Sequence, residues 1–210
     1  MELFGNESEA RAMELLCSAY NESDINKVCS AAFFVVVPFF EIPYCDVFAF
    51  KNSDIMFACK GTIGRNGVSR SRREGDGTTP AGIFTFGSCF GLKQAPKGMM
   101  LPYKLIDEND YWNSDFETEP FNKMVNSEAM PVGWDSSGSE HLCEYKGVYN
   151  YCASINYNTD PGIKGLGSAI FFHCVNETFT GTAGCVAIPE NYMIRALQLM
   201  ERDSRIIIDG

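Results

Sequence analysis

Short runs of β-branched and aromatic residues, separated by turn-forming residues, most constrain the fold of this 210-residue chain. The clearest run covers residues 33–37 and is ended by Pro38, which cannot donate a hydrogen bond to a strand ladder. Similar runs occur at residues 46–50, 55–60, 83–86, 149–157, 168–172 and 205–208. The two that flank Asn52 and Ser53 predict a hairpin. Runs of this length and spacing predict a mainly β domain.

Helical patterns occur near both ends of the chain. Residues 8–20 repeat apolar side chains at helical spacing, and a second helix is predicted from Pro189 to about residue 201. The apolar face of the second helix consists of Met193, Ile194, Leu197 and Met200. Both helices flank the predicted strands, so the expected class is mainly β with flanking helices.

The stretch from about residue 91 to 146 is polar and interrupted by glycine and proline. This composition predicts an irregular, lid-like insertion rather than a second domain, with its tryptophans anchoring it to the body. The expected organisation is therefore a helical N-terminal segment at residues 1–30 and one domain at residues 31–210.

The charge of the chain excludes some classes of partner. With 17 basic and 27 acidic residues, the formal net charge is -10. This disfavours nucleic acid and anionic membranes, which select for basic surfaces. No run approaches the roughly 18 apolar residues of a membrane span. The first residues lack the basic start and apolar core of a signal peptide, so either the chain is cytoplasmic or its leader lies outside this sequence.

Nine cysteines are present, and none forms a C-x-x-C pair. This spacing argues against a zinc ribbon or a thioredoxin-like motif. An odd number would leave at least one thiol unpaired in a secreted protein. Cys45 and Cys59 flank the predicted hairpin and could approach each other, but we expect most of the cysteines to be small buried apolar residues. Asp76, Asp115 and Glu140 form no recognisable metal set, so no metal site is predicted.

The segment from His173 to Cys185 holds the best candidates for catalysis. A thiol becomes a nucleophile when a histidine or a positive environment promotes its thiolate. The chain has two histidines. His173 follows a predicted strand, whereas His141 lies in a polar segment where a local hydrogen-bonding role is expected. For Cys185 alone, a buried structural thiol is the competing interpretation.

Two features near Cys185 would assist such chemistry. Gly184 lets the backbone pass close to a reacting carbonyl, so its N–H and that of Cys185 are candidate donors to an oxyanion. Cys185 also precedes the Pro189 helix, whose N-terminal dipole would favour a thiolate.

Several motifs resemble one known family. Residues 73–84, R-E-G-D-G-T-T-P-A-G-I-F, resemble the GDGxTPxGxF hairpin of the L,D-transpeptidase catalytic domain, the YkuD-like fold. Residues 167–173 and 182–186, G-S-A-I-F-F-H and T-A-G-C-V, resemble the GSAIFxH and TAGCV elements of that family. Shorter matches in family order lie at residues 111–115, 121–122 and 140–142. The chain departs from the S-H-G-C form of the motif, and Ala187 replaces its arginine or asparagine.

The resemblance implies a mixed β-sandwich with a catalytic groove at one sheet edge, partly covered by the insertion. It implies that Cys185 is the nucleophile, His173 the base and Gly184 part of the oxyanion site. It also implies that the main-chain carbonyl of Cys174 orients His173. Because neighbours on a strand point to opposite faces, we expect the Cys174 side chain to lie in the core. Substrate contacts are expected from Ser168, Thr182 and Ala183.

The implied activity is a cysteine acyltransferase acting on peptidoglycan stem peptides, without a metal or organic cofactor. A thioester would form with loss of terminal D-alanine, and its acyl group would pass to an amine (L,D-transpeptidase) or to water (L,D-carboxypeptidase). Carbapenems would be covalent inhibitors, and the location would be extracytoplasmic, with a leader outside this sequence. Two alternatives stay open: a non-catalytic cell-wall-binding module, favoured by Ala187, and an intracellular cysteine peptidase.

Overall fold

The computed structural model describes residues 6–22, 32–175, 178 and 180–210. It contains two helices, α1 (Asn6–Glu22) and α2 (Glu190–Leu199). The strands are β1 (Ala32–Pro38), β2 (Tyr44–Lys51), β3 (Asp54–Thr62), β4 (Val68–Ser69), β5 (Thr79–Pro80), β6 (Gly82–Gly91), β7 (Tyr103–Leu105), β8 (Asp110–Asn113), β9 (Lys123–Asn126), β10 (Ser139–His141), β11 (Cys152–Ile155), β12 (Phe171–Cys174), β13 (Val186–Ile188) and β14 (Arg205–Ile208). The predicted mainly β class with flanking helices is confirmed.

The main sheet has nine strands in the order β11-β12-β13-β3-β2-β1-β14-β6-β7. Strand β6 pairs with β14 and also with β11, so the sheet closes on itself as a barrel-like sandwich. Pairing is mixed: β1–β14, β12–β13 and β6–β7 are parallel, and the remaining neighbours in this sheet are antiparallel. Side chains from its inner face form the main core, which includes Phe34, Val47 and Phe172.

Helix α1 covers the outer face of β1 and β2. Its Ala12, Leu16 and Ala19 pack against a second apolar cluster that includes Phe33 and Phe50. This explains why β1 is a continuous apolar run instead of an alternating one, since the core covers one face and α1 the other. Residues 1–5 and 23–30 of the predicted N-terminal segment lie outside the described residues.

The segment at residues 91–146 is more regular than the sequence predicts, because β8, β9 and β10 form a separate three-stranded sheet. Trp112 is buried in this segment, and its Nε1 donates to Oδ1 of Asn122. The Asn122 Nδ2 group donates in turn to the carbonyls of Tyr157 and Asn158. The Trp112 ring also packs against Phe90 of β6 and Phe171 of β12, with centroids 6.2 and 4.8 Å apart. Trp112 therefore anchors the segment to the main sheet, as expected for this tryptophan.

A second difference concerns the strand predicted at residues 168–172, which begins only at Phe171. Ala169 has a φ of 52°, a left-handed conformation that interrupts an extended strand. Its N–H donates to Oδ1 of Asn122. The apolar pattern does not reveal this bend, because Ala169 and Ile170 also suit a strand interior.

Eight cysteines are described and all are free, six of them buried; Cys29 lies outside the described residues. Cys45 and Cys59, on neighbouring strands, are among the buried free thiols, as expected for small apolar residues. Across the described ranges, no group of three or more His, Cys, Asp or Glu side chains is placed to hold a metal ion. Neither described helix has the length and apolar character needed to cross a membrane.

Candidate active site

His173 and Cys185 lie on the same face of the sheet. In the parallel pairing of β12 and β13, His173 is opposite Ala187. Cys185 precedes Ala187 by two residues, so the alternation of side chains along an extended chain places it on that same face. Accordingly, the N–H of Phe171 donates to Cys185 Sγ at 3.2 Å. The neighbouring Cys174 packs into the main core, as expected.

One cavity of about 260 Å³ is lined by both residues. Its walls also include Glu140 and Tyr145 of the insertion, Tyr149, and residues 180–183. Strand β13 pairs with β3 through Ala187 and Thr62, and both residues also line the cavity. The cavity therefore lies over this part of the sheet, next to residues that belong to the insertion.

His173 is held in one orientation. Its Nδ1 lies 2.8 Å from the carbonyl oxygen of Cys174, as the resemblance implies. Because a carbonyl only accepts, Nδ1 carries the proton and the neutral ring presents an unprotonated Nε2. Burial lowers the pKa of His173 to about 4, while the Cys174 carbonyl acts in the opposite direction. At neutral pH the residue is therefore a neutral base.

Cys185 is a buried neutral thiol, contrary to the expected thiolate. Burial raises its pKa to about 12, and the charge of Glu140 adds to this effect. Strand β13 separates Cys185 from α2 by roughly 10 Å of extended chain, so the helix dipole does not reach the sulfur. Within the described side chains, no hydrogen bond joins His173 and Cys185; the thiol donates to the carbonyl of Ala169 at 3.4 Å. The arrangement is therefore a neutral thiol and a neutral imidazole that share one cavity.

Thr182 braces the loop that carries the thiol. Its Oγ1 accepts from the N–H of Gly184 at 3.1 Å and donates to the carbonyl of Cys185 at 2.7 Å. The Thr79 hydroxyl also donates to that carbonyl, at 3.3 Å. The Gly184 N–H, a predicted oxyanion donor, is therefore already engaged in the loop. The Thr182 hydroxyl likewise makes internal contacts, and its predicted contact with substrate remains a prediction.

Gly184 should not tolerate a side chain. Its φ is +155°, and a Cβ there would lie 2.9 Å from the backbone oxygen of Thr78 and 3.0 Å from Cδ1 of Ile170. We expect Gly184→Ala to lower the free energy of unfolding by about 1–3 kcal/mol, measured by urea denaturation. Gly98→Ala is the matched control, because Gly98 has a φ of +88° but open space around its Cβ position. An equal loss in both variants would show that crowding at Gly184 is unimportant.

The remaining predicted residues line a second cavity of about 420 Å³. Ser168 is buried in its wall. Ala169, Ala183 and Glu140 line both cavities and thus form the partition between them. The predicted contacts of Ser168 and Ala183 with substrate are compatible with these positions but remain predictions.

His141, the rival histidine, makes local contacts as expected. Its Nδ1 lies 3.0 Å from Oε1 of Glu144 and its Nε2 lies 2.8 Å from the carbonyl oxygen of Glu108. The ring stacks on Tyr111 with centroids 4.3 Å apart. Burial acts against the charged form, but the Glu108 carbonyl and Glu144 carboxylate outweigh it and raise the pKa of His141.

Three residues of the site were not assigned a functional role from sequence: Arg72, Tyr149 and Glu140. The Tyr149 ring packs edge-on against His173, with centroids 5.5 Å apart. Its hydroxyl donates to Oε2 of Glu140 at 2.7 Å, and burial raises the pKa of this carboxyl group. Glu140 belongs to the E-H-L match, which was the available signal. Nothing in the sequence distinguishes Tyr149 from the other tyrosines, and it precedes β11, so the strand predicted at residues 149–157 begins only at Cys152.

The buried His173 should make stability fall in acid. An unfolded histidine binds its proton near pH 6.5, whereas folded His173 does so near pH 4. Between these values the unfolded state binds more protons, so stability decreases as the pH falls, by about 3 kcal/mol for this shift. The difference in unfolding free energy between wild type and His173→Gln, measured from pH 7 to 4, should show this loss. His141→Gln is the control. Because the pKa of His141 is raised, its contribution to the unfolding free energy should increase as the pH falls, opposite to that of His173. Parallel stability curves for wild type and His173→Gln would contradict the prediction.

Most of the chain matches one known family: the family model of the YkuD L,D-transpeptidase catalytic domain matches residues 43–208. Comparison with curated proteins gives no match. Similar solved structures include the helical cell shape determining protein Pgp2 from Campylobacter jejuni, at 13% identity and a TM-score of 0.42, covering 94% of this chain and 55% of that protein. L,D-transpeptidase 1 from Mycobacterium tuberculosis is 12% identical with a TM-score of 0.37, covering 85% of this chain and 63% of that one. The Ldtfm–avibactam carbamoyl enzyme is also 12% identical, with a TM-score of 0.37, covering 87% of this chain and 49% of that one. The chain thus spans roughly half to two thirds of these structures.

Proposed function

Because this chain belongs to the L,D-transpeptidase catalytic domain family, we propose that it is a cysteine acyltransferase acting on peptidoglycan stem peptides. The observation that supports this most is that Cys185 and a neutral His173 line the same cavity on one face of the sheet. A buried thiol beside an oriented neutral base suits acyl transfer, because the base can take the thiol proton as the sulfur attacks.

The first half-reaction forms a thioester. Cys185 Sγ attacks the carbonyl carbon of the third residue of the stem, and its proton passes to Nε2 of His173. The carbonyl oxygen becomes an oxyanion, for which the Cys185 N–H is the remaining proposed donor, since the Gly184 N–H is bonded to Thr182. Collapse breaks the amide C–N bond, and His173 returns the proton to the departing amine of D-alanine.

The second half-reaction decides between two products. An amine of another stem, or water, attacks the thioester carbonyl and gives its proton to His173. The bond to Cys185 Sγ then breaks, and the proton returns to the sulfur. An amine acceptor gives a cross-link and water gives a trimmed tripeptide, so one site accounts for a transpeptidase or a carboxypeptidase. Ala187, in place of the arginine or asparagine of the S-H-G-C form, lies opposite His173 and brings no charged or amide group to this side of the cavity.

The proposed substrate also sets the place of action and the inhibitors. Peptidoglycan is assembled outside the cytoplasm, so we propose an extracytoplasmic location. Carbapenems carry a strained β-lactam ring. Attack of Cys185 on the ring carbonyl would break the ring C–N bond and leave a stable acyl-enzyme. The solved Ldtfm structure is a carbamoyl enzyme formed with avibactam, which is a property of that protein.

The test is incubation of the purified protein with muropeptides, followed by mass spectrometry. Dimers would indicate transpeptidation, and tripeptides with free D-alanine would indicate carboxypeptidation. A binding module would retain muropeptides but release no D-alanine. A carbapenem adduct on the intact protein, localised to Cys185 by peptide mapping, would support the same nucleophile. Absence of products and of adduct would contradict the proposal.

A further inference from the structure

Arg72 is a buried cation with an incomplete set of partners. Its side chain is only 2% exposed, and among the described residues its Nε and Nη1 groups have no hydrogen-bond partner. The Asp76 carboxylate lies 3.9 Å from Nε, which is beyond hydrogen-bond distance. Both oxygens of Asp76 are already engaged, by the Arg73 N–H and by the N–H and hydroxyl of Thr78. A buried guanidinium with free donors is costly unless an anion completes it.

Two glycines, Gly167 and Gly184, leave space for the Arg72 guanidinium, because a side chain at either position would crowd it. A Cβ on Gly167 would lie 2.9 Å from its Cζ, and a Cβ on Gly184 would lie 3.3 Å from its Nη2. The ring of Tyr157 lies 5.4 Å from Cζ on a further side. Arg72 lines the cavity of about 420 Å³, which is separated from the Cys185 cavity by the wall that includes Ala183. The guanidinium is therefore placed next to the residue that precedes the nucleophile.

We propose that Arg72 binds a carboxylate of the peptide substrate, carried within one residue of the bond that is cut. This inference rests on the proposed function, which supplies a peptide with a terminal carboxylate one residue beyond the scissile bond. The planar fork of an arginine matches a carboxylate with two parallel hydrogen bonds. One residue spans only about 3.3–3.8 Å, so a terminal carboxylate lies within that distance of a carbonyl held at Cys185. Arg72 lies beside Gly184, the residue next to Cys185, and is thus a candidate partner for it. A side-chain carboxylate on the third residue has the same chemistry and a longer reach.

Two carboxyl groups also line this cavity, and neither prevents binding of one carboxylate. Glu74 is exposed, so water and salt screen its charge. Glu140 is half-buried, and its Oε2 already accepts from the hydroxyl of Tyr149. Arg72 is thus the cation in the cavity wall that is buried and retains unused donors.

The test measures peptide binding to the Cys185→Ala protein by calorimetry, which does not require turnover. Three probes are compared: a stem tetrapeptide with all carboxylates free, its C-terminal amide, and an analogue without the side-chain carboxylate on the third residue. We expect Arg72→Met to weaken binding of the free tetrapeptide by about 10- to 100-fold. The analogue that lacks the recognised carboxylate should bind to the protein with Arg72 as weakly as the free tetrapeptide binds to Arg72→Met. Arg72→Met should not weaken binding of that analogue further. The analogue that shows this pattern identifies the recognised carboxylate.

Arg73→Met is the matched control, because Arg73 is the next residue but is exposed, and it should leave binding unchanged. If circular dichroism shows that Arg72→Met is unfolded, Arg72→Lys is used instead and should weaken binding of the free tetrapeptide alone. Equal loss for all three probes, or equal binding of all three by the Cys185→Ala protein, would overturn the assignment of Arg72. Failure of the Cys185→Ala protein to bind any probe, with no release of D-alanine by wild type, would instead reject the proposed function and this inference with it.

Discussion

Replacement of Cys185 by alanine should reduce release of D-alanine from stem peptides by about four orders of magnitude or more, while the protein stays folded. The variant lacks the sulfur on which the thioester forms, and His173 alone has no nucleophile to activate. Loss of one buried sulfur should lower the free energy of unfolding by only about 1 kcal/mol. Product analysis by mass spectrometry and urea denaturation measure the two effects.

Cys143→Ala is the matched control for this prediction. Cys143 is partly buried, and its Sγ lies 3.2 Å from Nε2 of His141, so it also forms a Cys–His contact. It lies outside the residues that line the Cys185 cavity. Cys143→Ala should therefore keep wild-type activity and the carbapenem adduct. If activity survived in Cys185→Ala and disappeared in Cys143→Ala, the nucleophile would have been assigned to the wrong cysteine.

The positions of the main strands follow from sequence because their patterns are strong. The apolar run at residues 33–37 corresponds to β1, and residues 205–208 coincide with β14. These segments are buried on at least one face, and β-branched or aromatic side chains satisfy both the strand geometry and the core. Closure of the sheet through the pairing of β6 with β11 is a long-range contact that no local pattern contains.

The small sheet within residues 91–146 was missed for a related reason. Its strands have three or four residues each, too few for an alternating pattern to emerge from a polar background. It is stabilised by particular contacts, such as the bond from Trp112 to Asn122, whose partners are ten residues apart. Hydrogen bonds of this kind depend on the folded backbone and leave no periodic signal.

The candidate site shows the same limit. Histidine, glycine and cysteine at recognisable spacings make His173, Gly184 and Cys185 the candidates, because the proposed chemistry restricts those residue types. The protonation states of these residues could not be predicted from sequence, because burial determines them. Burial raises the pKa of Cys185 to about 12 and lowers that of His173 to about 4. Arg72 was not predicted because the feature behind its proposed role, buried donors with no partner among the described residues, appears only in the folded structure.

His173→Gln should lower kcat/KM by about three orders of magnitude, the range of a lost general base. Glutamine can still donate to the Cys174 carbonyl but cannot accept the thiol proton. Alkylation of Cys185 by iodoacetamide should keep the same pH profile in both proteins, because the resting thiol is neutral and no hydrogen bond joins these two described side chains. The wild-type kcat/KM should fall in acid near pH 4 rather than pH 6.5, because burial lowers the pKa of His173. His141→Gln should keep full activity. Fast alkylation of Cys185 below pH 8 that His173→Gln abolishes would show instead a preformed thiolate–imidazolium pair.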